Sequence, residues 1–250
     1  AHASHEADFV SLNGSCDDPA PLPTLGLADV QVNEAVGQAK LTVTLSAAPG
    51  AGKSVNVSLR TDPGTATLQS DYAQVTPSQV TFGPTETTKD VFVPIINESV
   101  DEPDTETFTV TMFNESGAQN PDPTATVTIT DNDPLPLVSI SGPTTVTEPT
   151  SGTTSLTFSV SVTPQSGRTV SVDYGTSSGS ATAGNDFTAA GGSLTFCPGD
   201  GPKTFTVTVL GDATNEPNAT FSVGLSRAVN GTVSGGPVQV TIVDANAPPT

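Results

Sequence analysis

The sequence predicts an all-β protein made of two tandem β-sandwich domains with an N-terminal extension. Three observations lead to this fold class: an internal repeat of about 114 residues, short stretches in which apolar and polar residues alternate, and frequent Gly and Pro between those stretches. The 250 residues include 23 Gly and 22 Pro. Thr and Val favour a pleated, half-buried strand, whereas Gly and Pro mark the turns between strands.

The internal repeat sets the domain boundaries. Matching segments include Val32-Asn33-Glu34 with Val146-Thr147-Glu148, Asp71-Tyr72 with Asp186-Phe187, and Val80-Thr81-Phe82 with Leu194-Thr195-Phe196. A period this long indicates a duplicated domain rather than a solenoid. We therefore predict an extension over 1–24, a first domain over 25–133, a second domain over 134–246 and a tail over 247–250. The segment that joins the domains, 131–134, is too short to be a flexible tether.

Each domain is predicted to contain seven short strands. Between Lys203 and Val209 every second residue is apolar, as in a strand with one buried face. Seven such strands in about 110 residues are typical of a β-sandwich. The strands are expected near 25–33, 38–47, 54–62, 78–83, 88–96, 105–113 and 124–131 in the first domain, and near 137–148, 153–163, 169–177, 192–197, 203–210, 219–226 and 237–243 in the second.

Charge and composition exclude several classes of function. The chain has 26 acidic and 7 basic residues, for a net charge of −19. Nucleic acid is not expected as a partner, because phosphate binding needs a basic surface. Membrane insertion is not expected either, because no apolar run approaches the length of a span. Bound divalent cations would relieve the repulsion among the acids, and a solubilising acidic surface is the alternative.

Enzyme chemistry finds little support in the sequence. The only histidines, His2 and His5, both fall in the N-terminal extension, so a Ser-His-Asp or Cys-His site would have to use one of them. Paired carboxylates could serve a glycosidase, but the acids sit at loop ends, and the chain, with no Trp and only two Tyr, lacks the aromatic platforms that sugar subsites usually need. We therefore predict that the chain is not an enzyme.

The order of several small motifs resembles that of the Calx-β family. The second domain carries Asp186-Phe187, Leu194-Thr195-Phe196, Pro198-Gly199, Lys203-Thr204, Phe221-Ser222-Val223 and Thr241-Ile242-Val243-Asp244, and the first carries Asp71-Tyr72, Val80-Thr81-Phe82, Thr88-Lys89, Phe108-Thr109-Val110 and Thr128-Ile129-Thr130-Asp131. The resemblance covers about 25–133 and 135–246. It implies seven-stranded immunoglobulin-like sandwiches that often bind Ca²⁺ at one end, of the bacterial extracellular or surface type.

The resemblance also implies which acids would bind calcium, which prefers six to eight oxygen ligands. The candidate ligands are Glu34, Asp71, Glu98, Asp101, Glu102, Asp131 and Asp133 in the first domain and Glu148, Asp186, Asp212, Glu216 and Asp244 in the second. The second set is the poorer one, because Gly211, Ala219, Ala245 and Asn246 stand where family members often carry acids. We expect at least one ion in the first domain and one weaker ion or none in the second. The alternative is that these acids are solvated loop residues.

The two cysteines, Cys16 and Cys197, lie far apart in the sequence. A bond between them would fasten the extension to the second domain and would imply an oxidising compartment. A bond to a neighbouring molecule and two free thiols are the alternatives.

Two functions are compatible with these observations. The first is a calcium-binding structural or adhesion module, secreted or at the cell surface, in which calcium stiffens the domain pair. The second is a subunit of a self-assembling filament or surface layer, joined through residues 1–24. The expected partners are other proteins or copies of the chain itself, bound through 1–24, and surface glycans are a further candidate.

Overall fold

The computed structural model describes residues 21–246, which form two consecutive β-sandwiches. The predicted all-β fold with two sandwiches is confirmed. Within the described residues the regular structure consists of strands and one short 3₁₀ turn, Glu34–Val36. In this part of the chain no helix is long and apolar enough to span a membrane. The predictions made for residues 1–20 and 247–250 fall outside the described range.

The first domain contains a three-stranded and a five-stranded sheet. Their orders are β1-β3-β6 and β2-β8-β7-β4-β5, and neighbouring strands are antiparallel except for β2 and β8. The strands are β1 (Leu25–Gly26), β2 (Val30–Asn33), β3 (Gln38–Leu45), β4 (Val55–Pro63), β5 (Gln79–Phe82), β6 (Thr88–Pro94), β7 (Thr105–Ser116) and β8 (Thr124–Thr130).

The second domain repeats this arrangement with a four-stranded and a five-stranded sheet. Their orders are β14-β11-β9-β16 and β10-β17-β15-β12-β13. The strands are β9 (Leu137–Ser141), β10 (Thr145–Thr147), β11 (Gly152–Thr163), β12 (Val170–Ser178), β13 (Gly191–Phe196), β14 (Lys203–Gly211), β15 (Ala219–Val229), β16 (Thr232–Val233) and β17 (Val238–Val243). The short strand β16 was not predicted.

The first predicted strand of each domain is divided between the two sheets. The segment 25–33 becomes β1, which pairs with β3, and β2, which pairs with β8 in the other sheet. The segment 137–148 divides in the same way into β9 and β10. Where the first segment crosses between the sheets, the Asp29 carboxylate accepts a hydrogen bond from the Thr126 amide at 2.7 Å. The apolar positions change phase at Asp29, from Leu25 and Leu27 to Val30 and Val32, and the single predicted strand overlooked this change.

The aromatic residue of each Asp-aromatic pair anchors one end of its sandwich. Tyr72 is fully buried and stacks on Phe108 of β7 with ring centroids 3.9 Å apart. Phe187 stacks on Phe221 of β15 at 4.4 Å. Large buried aromatic rings contribute strongly to core stability. Each buried ring therefore holds the aspartate that precedes it at the end of the sandwich.

Candidate metal centre

Carboxylates from several strand ends meet at one end of the first domain, here called the acidic pole. Glu34 lies on the 3₁₀ turn after β2, and Asp71 lies in the turn before β5. The loop 97–104 between β6 and β7 contributes Glu98 and Glu102. The remaining members are Glu106 on β7 and Asp131 and Asp133, which follow β8.

Glu34, Glu98 and Asp133 form a first group, here called the Glu98 cluster. One carboxylate oxygen from each lies within 4.8 Å of the other two. The Glu98 amide donates to Glu34 Oε1 at 3.0 Å. Both carboxylate oxygens of Glu98 and Oδ2 of Asp133 are buried and lack a hydrogen-bond partner. Buried acceptors are normally satisfied, so these three oxygens indicate a place for a cation.

Asp71, Glu102 and Glu106 form a second group, the Glu106 cluster, whose carboxylate oxygens also lie within 4.8 Å of one another. Asp131 connects it to the first group. Its Oδ2 accepts a hydrogen bond from the Glu102 amide at 3.4 Å, and its Oδ1 accepts one from the Asp133 amide at 3.2 Å. The two clusters therefore belong to one network.

Burial and mutual repulsion raise the pKa of three acids of this network, Glu98, Glu102 and Glu106. Burial raises the pKa of Glu98 to about 7, with further contributions from Glu34 and Glu102. The pKa of Glu102 and that of Glu106 are each raised to about 7, again mainly by burial and then by the charge of Asp71. Near neutral pH the site therefore lacks the positive charge that would balance its carboxylates.

The chemistry of the pole suits a hard divalent cation. All the donors are carboxylate oxygens, and calcium binds oxygen at about 2.3–2.6 Å, so ligands on opposite sides of one ion lie about 5 Å apart. In each cluster the three carboxylate oxygens lie within 4.8 Å of one another, which is close enough for all three to contact one such ion. Within residues 21–246, no Lys or Arg side chain forms an ion pair with any member of the two clusters.

Asp101, which the resemblance placed among the ligands, is directed into the joint between the domains. Arg168 Nη2 donates to its Oδ1 at 2.8 Å, and Ser166 Oγ donates to its Oδ2 at 2.6 Å. The Gly167 amide donates to the Asp101 carbonyl oxygen at 2.8 Å, and Arg168 Nη1 donates to Asp104 at 3.0 Å. Asp101 is 1% exposed. Its carboxylate therefore joins the domains and lies outside both clusters.

The second domain repeats the scaffold of the pole. Glu148 Oε1 accepts a hydrogen bond from the Asp212 amide at 3.2 Å, as Glu34 does from Glu98. Asp244 Oδ2 accepts one from the Glu216 amide at 2.9 Å, as Asp131 does from Glu102. Burial raises the pKa of Glu148. Asp186 accepts a hydrogen bond from the Thr182 amide in the Asp-Phe turn.

Two acids of the first pole have no acidic counterpart in the second. Glu106 pairs with Ile129 across β7 and β8, and the corresponding partner of Ile242 is Ala219. Asn246 takes the place of Asp133, because its amide donates to Asp244 Oδ1 at 2.8 Å. Of the residues that the structure covers, no three acids of the second domain come together as they do in either cluster.

Glu106 is the candidate ligand that the sequence prediction missed. It precedes Phe108 and Val110 with a spacing of two, so it shares their inward face at the end of β7. The sequence does carry a signal for this ligand, because an acid in register with core residues at a strand end faces the same side as the core.

Cys197 is exposed at the end of β13. Its predicted partner Cys16 lies outside the described residues, so the pairing stays a prediction.

The fold and the pole define a tandem β-sandwich protein with a carboxylate-rich site at the end of its first domain. The model of the Calx-beta domain family matches residues 17–133 and 136–246, and the chain therefore belongs to the Calx-β family. No curated protein matches the chain.

Three solved structures illustrate the structural likeness. CBD12 from CALX1.2 is 22% identical, covering 82% of this chain and 80% of its own, with a TM-score of 0.41. The apo-form Calx CBD1 domain is 23% identical over 45% of this chain and 99% of its own, also at 0.41. The CupB2 chaperone of Pseudomonas aeruginosa is 12% identical over 80% of this chain and 95% of its own, at 0.31.

Proposed function

We propose that the chain is a calcium-binding structural module of a secreted or cell-surface protein, and that calcium at the acidic pole stiffens the domain pair. The observation that carries this proposal is the group of buried oxygens without hydrogen-bond partners on Glu98 and Asp133. Burying unpaired carboxylates is costly, and a divalent cation would remove that cost and the repulsion together.

Membership of the Calx-β family supports this reading. One similar solved structure is described as the calcium binding domain CBD12 of CALX1.1. Glu34, Glu98 and Asp133 would hold one ion, and Asp71, Glu102 and Glu106 a second, with Asp131 between them. The second domain, which has Ala219 and Asn246 in place of two acids, would bind one weaker ion or none.

The stiffening follows from where the ligands lie along the chain. Asp131 and Asp133 immediately precede the second domain, and Glu98 and Glu102 flank Asp101 in the loop 97–104. Because Arg168 holds Asp101, an ion that fixes this loop also fixes the surface on which the second domain rests. Calcium would thereby couple local order at the pole to the orientation of the domains.

A secreted or surface location is compatible with this chemistry, since extracellular calcium modules work at 10⁻⁴–10⁻³ M affinities. Proteins, copies of the chain itself and surface glycans remain the proposed partners. Enzymatic activity is no part of the proposal. The filament hypothesis that depends on the extension concerns mainly residues outside the described range, and it remains a second proposal.

The test is a calcium titration of the whole chain by calorimetry, together with small-angle scattering in calcium and in chelator. We expect saturable binding that Glu98→Gln weakens at least about tenfold, because one charged ligand is lost. The matched control is Glu115→Gln, an exposed glutamate at the far end of β7. Binding that Glu98→Gln leaves intact would rule out the site, and scattering profiles that calcium does not change would rule out the stiffening.

A further inference from the structure

The joint between the domains brings together two unlike ends of a sandwich. The first domain contributes its loop 97–104, and the second domain contributes the end opposite its own acids. There Ser166, Gly167 and Arg168 bind Asp101, and Leu135 and Asn230 line the adjoining cleft. Because the domains are repeats of one another, each carries its own version of both ends.

The first domain carries the same receiving surface. Ala51-Gly52-Lys53-Ser54-Val55 matches Ser166-Gly167-Arg168-Thr169-Val170, and Pro21-Leu22-Pro23 matches Pro134-Leu135-Pro136. Strand register supports the first match, since Val55 pairs with Phe82 as Val170 pairs with Phe196.

Backbone hydrogen bonds support the second match. The Gln119 amide donates to the Pro23 carbonyl oxygen at 2.8 Å, and the Thr232 amide donates to the Pro136 carbonyl oxygen at 2.8 Å. Lys53 therefore occupies the place of Arg168, and Leu22 that of Leu135.

This surface of the first domain forms a groove, here called the free groove. It is lined by Pro21, Leu22, Pro49, Lys53, Ser54 and Gly117, among others. Leu22 is 52% exposed, and Lys53 is exposed and has no ion-pair partner within residues 21–246. Nothing in the described part of the chain covers the groove as the loop 97–104 covers the equivalent surface of the second domain.

The complementary end is also uncovered, at the far end of the second domain. The loop 212–218 corresponds to 97–104, yet all its residues are exposed, whereas Asp101 is buried. Asp212 and Glu216 give the loop negative charge. Asn215 stands in the position of Asp101, one residue before the shared glutamate.

We infer that the free groove of one molecule receives the loop 212–218 of a second copy, so that molecules stack head to tail and repeat the internal joint. Lys53 would face the acids of the loop, as Arg168 faces Asp101 and Asp104 in the internal joint. The two surfaces differ, so the contact is heterologous and leaves a free groove at one end and a free loop at the other. The inference does not depend on calcium binding.

The contact between copies should be weaker than the internal joint. Lysine lacks the planar, two-pronged geometry that arginine offers to a carboxylate, and Asn215 lacks the charge of Asp101. Two separate molecules also lose the high effective concentration that the short linker provides. The substitutions Lys53→Arg and Asn215→Asp together would restore the pair seen between Arg168 and Asp101.

The experiment is sedimentation of the full 250-residue chain over a wide concentration range, for the unaltered chain, for Lys53→Glu and for the double variant Lys53→Arg/Asn215→Asp. We expect weak, reversible association of the unaltered chain, its loss in Lys53→Glu, and an increase of at least about tenfold in the double variant, as a charge-assisted hydrogen bond gives. The control Lys40→Glu makes the same charge change on an exposed side chain of β3 and should associate like the unaltered chain.

Two sedimentation results would overturn the inference: a double variant that associates no more strongly than the unaltered chain, or association that Lys53→Glu and Lys40→Glu weaken equally. Cross-links from Lys53 to residues 1–20 of the same molecule, with no link between molecules, would also overturn it, because the groove would then be covered from within. Sedimentation is measured both in calcium and in chelator, and Lys53→Glu is compared with the unaltered chain within each condition. A failure of the calcium proposal would therefore leave the test of this contact intact.

Discussion

Arg168 of the second domain holds Asp101 of the first, with Nη2 of the arginine 2.8 Å from Oδ1 of the aspartate. Asp101 is almost completely buried, and it lies between Glu98 and Glu102 in the loop 97–104. One of the seven basic residues of a strongly acidic chain is thus placed beside the carboxylate network without entering it. The pair connects the candidate metal centre to the orientation of the second domain.

Replacing Arg168 should loosen the joint. Arg168→Gln removes the positive charge of the guanidinium and most of its hydrogen-bond donors. Asp101 then stays buried without its cation, which destabilises the closed joint by about 1–3 kcal/mol. Opening the joint to water relieves that cost, so we expect a broader distribution of interdomain distances in small-angle scattering. Arg227→Gln is the control, because Arg227 is 86% exposed and its ion-pair partner, Asp173, lies within the second domain. Identical scattering of the two variants would contradict the prediction.

Removing one charge from the Glu98 cluster should have opposite effects with and without calcium. In chelator, Asp133→Asn relieves repulsion at a buried oxygen, and we expect a higher melting temperature. In saturating calcium the variant loses a ligand, and its calcium-induced rise in melting temperature should shrink. Glu115→Gln, which removes a charge from an exposed site, should change neither value. If Asp133→Asn melted at a lower temperature than the unaltered chain in chelator, the carboxylates of the cluster would not be repelling one another.

The calcium-free protein should become less stable as the pH rises through neutrality. Burial raises the pKa values of Glu98, Glu102 and Glu106 to about 7 in the folded chain, from the 4.5 of an exposed glutamate. A carboxyl with a raised pKa contributes stability that is fully present below about 4.5 and is lost as the pH passes about 7. Melting temperatures in chelator between pH 5 and pH 8 should therefore fall. Calcium binding requires the charged forms, so calcium affinity should rise over the same range. A melting temperature that rises with pH in chelator would contradict this assignment of pKa shifts.

Restoring the two missing acids should give the second domain a calcium site. Ala219→Glu and Asn246→Asp together recreate the positions of Glu106 and Asp133 on a scaffold that already has the matching backbone hydrogen bonds. We expect additional calcium to bind in calorimetry, with a higher melting temperature of the second domain in calcium.

The control for this gain is Gln239→Glu, which adds a charge on an exposed position of β17. The double variant and the control should differ in the amount of calcium bound. Equal binding would mean that the scaffold of the second domain does not bring its acids close enough together.

The sequence predicts most of the fold because alternation and repetition are local properties of the chain. It does not predict the division of 25–33 between two sheets, because the change of apolar phase at Asp29 is equally compatible with a bulge in one strand and with a change of partner. At the candidate site, Glu106 could have been found from its register with Phe108. The separate role of Asp101 could not have been found in this way, because it depends on where the second domain places Arg168. Docking of two domains is a non-local property that one-dimensional patterns do not carry.

The short linker has a mechanical consequence. Asp131 and Asp133 belong to the carboxylate network, and β9 of the second domain begins at Leu137. Tension pulling the domains apart along the chain would therefore reach these two aspartates before it reached either hydrophobic core. An ion bound there would bear the first part of the load, so the resistance of the protein to stretching would depend on the calcium concentration around it.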